Sequence, residues 1–287
     1  MEVAGSLNFL SVGFWAKAPA VFNVLNAYHP PRGEGRMKGV GDPRAARRRF
    51  FEDATPNLTE LVARRYEWMN AFIGPGDTGV EFGAGPGLAR EFIHCQNFKL
   101  TDVGDHEWLD VKNVDALKTP FEDASLDFVV EVNMVHHLAH PLRFFKEATR
   151  ILKPGGRLII QDVHCSIFLR AALRLLKHEG YDFGVDVFDD RVECTDPHDA
   201  WAGNNAIFDL LLADERRFFA AMPELELVHR SHSEFLLLLN SGGVDSRTVH
   251  VPLPQWAVRA MGRLDDALTQ RFPQLFASQI QMVLRKS

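Results

Sequence analysis

Residues Thr78 to Phe92 read T-G-V-E-F-G-A-G-P-G-L-A-R-E-F, and their spacing limits what they do. A short apolar run ends in the acid Glu81. Three glycines then alternate at Gly83, Gly85 and Gly87, and a helix is expected from Leu88 to Cys95. A turn that lies directly against a ligand needs residues without Cβ. A strand, a glycine turn and a helix start together make a nucleotide-sized site at the carboxyl edge of a parallel sheet. The spacing is G-x-G-x-G, with Leu88 where the dinucleotide fingerprint G-x-G-x-x-G would place its last glycine.

Further acids follow at regular intervals. Asp102 ends a second strand expected over Phe98–Val103, where a carboxylate can accept from both ribose hydroxyls of an adenosine. Asp115 and Ala116 follow a short third strand, Val111–Val114, where an acid can accept from an adenine amino group. Asp105 and Asp110 compete for these two positions. An apolar fourth strand, Leu126–Val132, leads into Asn133-Met134-Val135-His136-His137-Leu138. His164 directly follows the fifth strand, Arg157–Val163, and is the candidate general base, with Asp162 to orient it or to contact the substrate. His178-Glu179 is a second pair of interest. His136 and His140 stand one helical turn apart but lack a third clear ligand, so no metal site is expected.

The elements around these residues follow from periodicity. Leu7, Leu10, Phe14, Ala18, Val21 and Leu25 recur at helical spacing, and no run is apolar enough for a transmembrane helix. Residues 30–49 carry seven basic residues against two acids. Arg44, Arg47, Arg48 and Arg49 read as a solvated helix face. Helices are expected over Leu58–Ile73 and Pro141–Leu152, the latter stopped by Lys153-Pro154-Gly155-Gly156. The α/β alternation then breaks. Residues 165 to about 222 read as a helical cap, and Leu225–His229 and Ser278–Leu284 as the last two strands, the second of them antiparallel. The division expected is an N-terminal amphipathic helix and basic lid over 1–57 and a main domain over 58–287.

The 287 residues carry a net charge of −6, and the three cysteines form no C-x-x-C pair. That balance offers no basic face for nucleic acid, and the cysteine usage suits a reducing compartment. The chain is expected to be cytoplasmic, with peripheral membrane contact through the N-terminal helix as an alternative, and an anionic lipid surface or phosphate-bearing substrate as the second reading of the arginine run.

In order, the glycine motif, D-A-x-x-x-P-F, V-H-H-L and L-K-P-G-G over residues 78–163 resemble the core of the class I S-adenosylmethionine (SAM) dependent methyltransferases. The resemblance implies an α/β fold with a Rossmann-like, seven-stranded, mostly parallel sheet and an antiparallel last strand. It implies SAM as cofactor, with Glu81, Gly83, Gly85 and Gly87 around its methionine part, Asp102 at the ribose and Asp115 and Ala116 at the adenine. Glu131 and Asn133 would lie under the sulfonium. One departure stands out: the Asp102-to-Asp115 connection is short, with Trp108 in place of a full helix.

The order of the cap and of Asn240-Ser241-Gly242-Gly243 is similar to methyltransferases of bacterial polysaccharide and glycolipid assembly. That implies a small-molecule or lipid-linked acceptor, and His164 as the candidate base points to its O-methylation. The cap aromatics Phe168, Tyr181, Phe183, Phe188, Trp201, Phe208, Phe218 and Phe219 offer an aromatic or polyketide acceptor as the alternative. A non-catalytic partner subunit competes with both. A nicotinamide oxidoreductase is disfavoured, because no tyrosine is followed four residues on by lysine.

Overall fold

The computed structural model describes residues 26–30, 41–177, 179–199, 202–244 and 247–287. The expected N-terminal helix, most of the basic segment before residue 41, His178 and Trp201 lie outside the described residues.

The described residues form eight strands: β1 (Ala27–Tyr28), β2 (Thr78–Phe82), β3 (Asn97–Leu100), β4 (Leu126–Val132), β5 (Leu152–Val163), β6 (Tyr181–Asp182), β7 (Leu225–Ser233) and β8 (Gln279–Lys286). Six of them form one sheet in the order β3-β2-β4-β5-β8-β7, and β1 pairs with β6 separately. The pairs β2–β3, β2–β4 and β4–β5 are parallel. The last strand, β8, runs antiparallel between β5 and β7.

The sheet therefore has six strands, not seven. The expected strand Val111–Val114 is reduced to a single parallel bridge, Thr101 to Val111. The segment cannot run on as a strand because its backbone folds back onto the loop before it: Asn113 N donates to Gly104 O at 2.9 Å and Val114 N to Asp102 O at 2.8 Å. The helix expected over Leu88–Cys95 is likewise only a 3-10 turn, Leu88–Glu91. Gly87 enters the turn in a left-handed conformation.

Both faces of the sheet are covered, so β4 and β5 are apolar in unbroken runs rather than alternating. On one face Val129, Leu158, Ile160, Ile280, Met282 and Leu284 pack against helices α3 (Pro141–Ile151), α5 (Ile207–Ala213) and α6 (Glu215–Ala221). On the other, Phe128, Val130, Val132, Ile159 and Val283 meet helix α2 (Pro56–Tyr66) and the turns around Met69 and Leu88. Helix α1 (Pro43–Asp53), capped by Asp42, precedes α2, and α4 (Ile167–Leu176) opens the cap. Helices α7 (Leu236–Leu239), α8 (Gln255–Arg271) and α9 (Pro273–Phe276) close the chain before β8.

Several cap aromatics serve packing. Tyr181, Phe208 and Phe218 are fully buried, and Phe218 stacks edge-on against Phe145 at 5.2 Å. They hold the cap to the sheet, whereas Phe168, Phe183, Phe188 and Phe219 are half-buried.

Candidate active site

The glycine turn leaves β2 with Gly83, Gly85 and Gly87 at φ of 66°, 47° and 70°. Gly85 faces open space: a Cβ there would meet only Gly83 O, at 3.9 Å. Gly87 is instead needed for a close neighbour, because a Cβ would lie 2.6 Å from Trp108 Cδ1. Trp108 Nε1 donates to Gly85 O at 2.9 Å, so the short 102–115 connection braces the turn with an indole where a helix was missing.

Asp102 joins the two loops. Its Oδ2 accepts from Gly85 N and its Oδ1 from Gly104 N, both at 2.8 Å. Asp110, a competitor in the sequence, is committed to Arg90 and accepts from Leu100 N at 2.7 Å. Asp115 follows the Val114-to-Asp102 backbone bond, is exposed, and accepts from Leu117 N at 2.8 Å, while Ala116 is buried beside it.

Beneath the turn, Glu81 is fully buried. Burial pushes its carboxyl up to about 8, against the opposing effect of a bond from Tyr66 Oη at 3.1 Å. Its Oε2, the Oε2 of Glu131 and the Oδ1 of Asn133 are buried with no hydrogen-bond partner among the described residues. Asn133 holds φ of 56°, a left-handed conformation at the end of β4. Three buried acceptors at one sheet edge suit a ligand rich in donors or positive charge.

The next residues connect this cradle to a second cluster. Met134 packs over Gly83, where a Cβ would come 2.5 Å from Met134 Cγ. Glu131 Oε1 accepts from Met134 N at 2.5 Å and Val135 N at 3.2 Å, shaping the 3-10 turn Val135–His137. Burial and the Asp162 charge hold the Glu131 carboxyl well above the usual range. Asp162 Oδ1 lies 2.5 Å from His136 Nδ1, and its Oδ2 accepts from Val135 N at 2.8 Å. On the opposite side of the ring, His136 Nε2 lies 3.4 Å from Glu179 Oε2. Burial favours the neutral ring, but the two carboxylates outweigh it and push His136 up to about 10, so it is held as the cation.

The pairing expected between Asp162 and His164 does not form. His164 lies past the strand end, where Ser166 turns the chain into α4, and its Nδ1 pairs with Asp209 Oδ1 of α5 at 2.7 Å. His164 also meets the ring of His232 edge-on at 4.7 Å, and burial with the neighbouring His164 charge lowers His232 to about 4. At the end of β5 two histidine–aspartate pairs thus stand where one was expected.

Other site residues were not singled out in the sequence. Arg47 Nη1 donates to Pro86 O at 2.9 Å, with its guanidinium 5.0 Å over the Trp108 ring. Arg49 Nη1 donates to Gly243 O and Val244 O at 3.0 and 2.7 Å. Within the basic run only Arg44 and Arg48 are exposed, so the solvated-face reading holds for half of it. Arg47 fastens α1 to the glycine turn, and Arg49 fastens it to the loop at Gly243 and Val244. Helical periodicity alone would have shown that Arg47 and Arg48 face different ways. The quoted V-H-H-L segment already contained His136. Nothing local marks Glu179 as its partner.

Residues 80–160 match the family model described as a methyltransferase domain. The chain is 40% identical over 148 residues to a 27-O-demethylrifamycin SV methyltransferase from Amycolatopsis mediterranei, covering 45% of this chain and 52% of that protein. It is 25% identical over 123 residues to a "Probable tRNA methyltransferase 9B" from Mus musculus, covering 38% and 28% of the two chains. The chain thus spans between about a quarter and a half of the length of these relatives. The structure of a geranyl diphosphate C-methyltransferase from Streptomyces coelicolor superposes with a TM-score of 0.43 at 14% identity, covering 91% of each chain.

Proposed function

With residues 80–160 forming a methyltransferase domain of the class I SAM-dependent family, we propose that the chain transfers a methyl group from SAM to a hydroxyl oxygen of a small molecule. The observation that carries the oxygen acceptor is the Asp162–His136–Glu179 line, two residues along the chain from Met134, which packs on the glycine turn at Gly83.

SAM supplies an electrophilic methyl group on a cationic sulfonium. The residues present suit it: the open face of Gly85 admits the chain of the methionine part, and the unpartnered oxygens of Glu81 and Asn133 are acceptors for an ammonium. Asp102, fixed by two backbone N–H groups, is held to accept from ribose hydroxyls, with Asp115 and Ala116 toward the base. In-line methyl transfer depends chiefly on alignment. His136, aimed by Asp162 and held as its cation, donates from Nε2 to the acceptor oxygen and stabilises the charge that develops there. Glu179, beside that nitrogen, takes the hydroxyl proton. His164, paired with Asp209, is assigned a structural role.

The test is incubation with methyl-labelled SAM and extracts of the source cell, followed by mass spectrometry for a product that gains a methyl group. His136→Ala should abolish its formation while SAM affinity stays within about threefold of wild type. A labelled product formed equally well by that variant would reject the assignment.

A further inference from the structure

His136, His137 and Glu179 converge in a way that a single ion pair does not require. The Nε2 atoms of both rings face one carboxylate, at 3.4 Å from Oε2 and 3.9 Å from Oε1, and one ligand atom from each residue falls within 4.8 Å of the others. The two rings are 4.1 Å apart and inclined by 40°. Each ring is fixed from behind by its other nitrogen. His136 Nδ1 meets Asp162 Oδ1 at 2.5 Å, and His137 Nδ1 meets Ala202 O at 3.2 Å. An imidazole whose Nδ1–H is donated presents Nε2 as its lone-pair nitrogen. A carboxylate behind one histidine and a carbonyl behind the other is the outer shell that metal-ligating histidines carry. The carboxylate has such support too, since Asn205 Nδ2 donates to Glu179 Oε2 at 3.2 Å. Gly203 leaves room beside them: a Cβ there would stand 3.1 Å from Glu179 Oε2 and 3.2 Å from His136 Cδ2.

We propose that His136, His137 and Glu179 bind one divalent transition-metal ion of the zinc class, with its fourth position turned to the methyl acceptor. Bonds of about 2.0–2.1 Å in a tetrahedron place ligand atoms roughly 3.4 Å apart. The observed separations reach that geometry with side-chain shifts of about an ångström or less. Two nitrogens and one carboxylate with an open position form a catalytic rather than a closed structural set. Nitrogen ligands select zinc, cobalt or nickel over magnesium.

The inference deepens the proposed function and rests on it for the acceptor. With the ion bound, it would take the place of the Nε2 proton as the positive charge against the acceptor oxygen, and Glu179 would serve as a ligand instead of as the base. The hydroxyl then loses its proton to solvent as it binds the ion, the oxygen forms its bond to the methyl carbon, and the carbon–sulfur bond breaks to leave a thioether.

The experiment uses the full chain freed of metal by chelator dialysis. Zinc is titrated against a chromophoric chelator and cobalt by its visible spectrum. One equivalent should bind, with the intense d–d bands of four-coordinate cobalt, and millimolar magnesium should not compete. His137→Ala and the near-isosteric Glu179→Gln, each checked for native circular dichroism, should weaken zinc by about tenfold or more. Absent or substoichiometric binding, a six-coordinate cobalt spectrum, or unchanged affinity in Glu179→Gln would overturn the site. The two proposals fail separately. A bound metal without any methylated product removes the function and keeps the site. Methylation undiminished by metal removal, with no cobalt spectrum, removes the site and keeps the function.

Discussion

Asp162 Oδ1 stands 2.5 Å from Nδ1 of His136, a residue 26 positions earlier in the chain, while its near neighbour His164 pairs with Asp209. The carboxylate also accepts from the backbone of Val135, so one buried side chain sets both the turn and the ring that the turn carries. Replacing the charge but not the shape separates these functions. Asp162→Asn should lower turnover by about 10²- to 10⁴-fold, because the amide orients the ring without stabilising its cation. SAM affinity, measured by calorimetry, should change little. Turnover within threefold of wild type would remove Asp162 from the reaction.

His164 offers the converse. His164→Gln should leave turnover within about threefold, since Asp209 and not Asp162 holds that ring. Its cost should appear in stability instead. Asp209 also accepts from Cys165 N at 2.7 Å, and losing its imidazole partner leaves it underpaired, at roughly 1–3 kcal/mol. Denaturant unfolding reads that loss, and an undiminished midpoint together with lost turnover would reverse the assignment of the two histidines.

The glycine turn predicts a steric effect. Gly87→Ala puts a Cβ at a φ of 70° and 2.6 Å from Trp108 Cδ1, so either the indole or the turn must move. The strain is of order 1–3 kcal/mol. SAM affinity should fall about tenfold, accompanied by a change in tryptophan fluorescence as Trp108 loses its bond to Gly85. Gly76→Ala, where nothing lies within 4 Å, is the control and should be neutral.

Glu81 gives a pH dependence with a definite sign. Its carboxyl titrates near 8 in the folded chain because it is buried, against an ordinary value of 4.5. Between those values the native state keeps a proton that the unfolded chain has released. The stabilisation that protonated Glu81 brings is complete below pH 4.5 and is lost as the pH rises toward 8. Glu81→Gln should therefore gain stability on wild type across that window, by up to a few kcal/mol, as measured by unfolding at several pH values. A cationic ligand favours the carboxylate. SAM binding to wild type should then release a proton below pH 8 and tighten as the pH rises, and calorimetry in buffers of different ionisation enthalpy detects this. In Glu81→Gln both effects should vanish.

What the sequence made legible was local. The strand, glycine turn and acids of residues 78–133 sit in the order in which they meet at the sheet edge, because consecutive parallel strands deliver their carboxyl ends to one side. Asp102 could be placed by counting from Gly87. The length of Val111–Val114 could not, since its pairing was decided by tertiary bonds to Gly104 and Asp102. The acceptor side was hidden for a different reason. His136 and Asp162 were both visible as residues, but which histidine an aspartate meets depends on where the chain turns after Val163. Glu179 reaches His136 only because the cap folds back over the sheet, and no periodicity encodes that contact.

A buried polar network holds α2 to the end of β5. Arg65, on α2, makes a two-point pair with Glu234, its Nε and Nη2 each 2.8 Å from a carboxylate oxygen. Both side chains are buried. Gln161 Nε2 donates to Glu234 Oε1 at 2.7 Å, and Gln161 Oε1 accepts from Trp68 Nε1 and Gln281 Nε2, both at 3.0 Å. The network thus ties α2, β5 and β8 to Glu234, which follows β7 with a φ of 59°. Gln161 is the residue before Asp162, so the network fixes the strand end that aims His136. Removing one partner leaves a buried charge unpaired, which costs about 3–5 kcal/mol, whereas replacing both with apolar groups can be nearly neutral. Arg65→Met should accordingly destabilise the fold by that amount, and Arg65→Met with Glu234→Leu should recover most of it. Turnover should recover less than stability in the double variant, because Gln161 loses its acceptor and the Asp162 backbone is less firmly held. Full recovery of both in parallel would confine the network to stability alone.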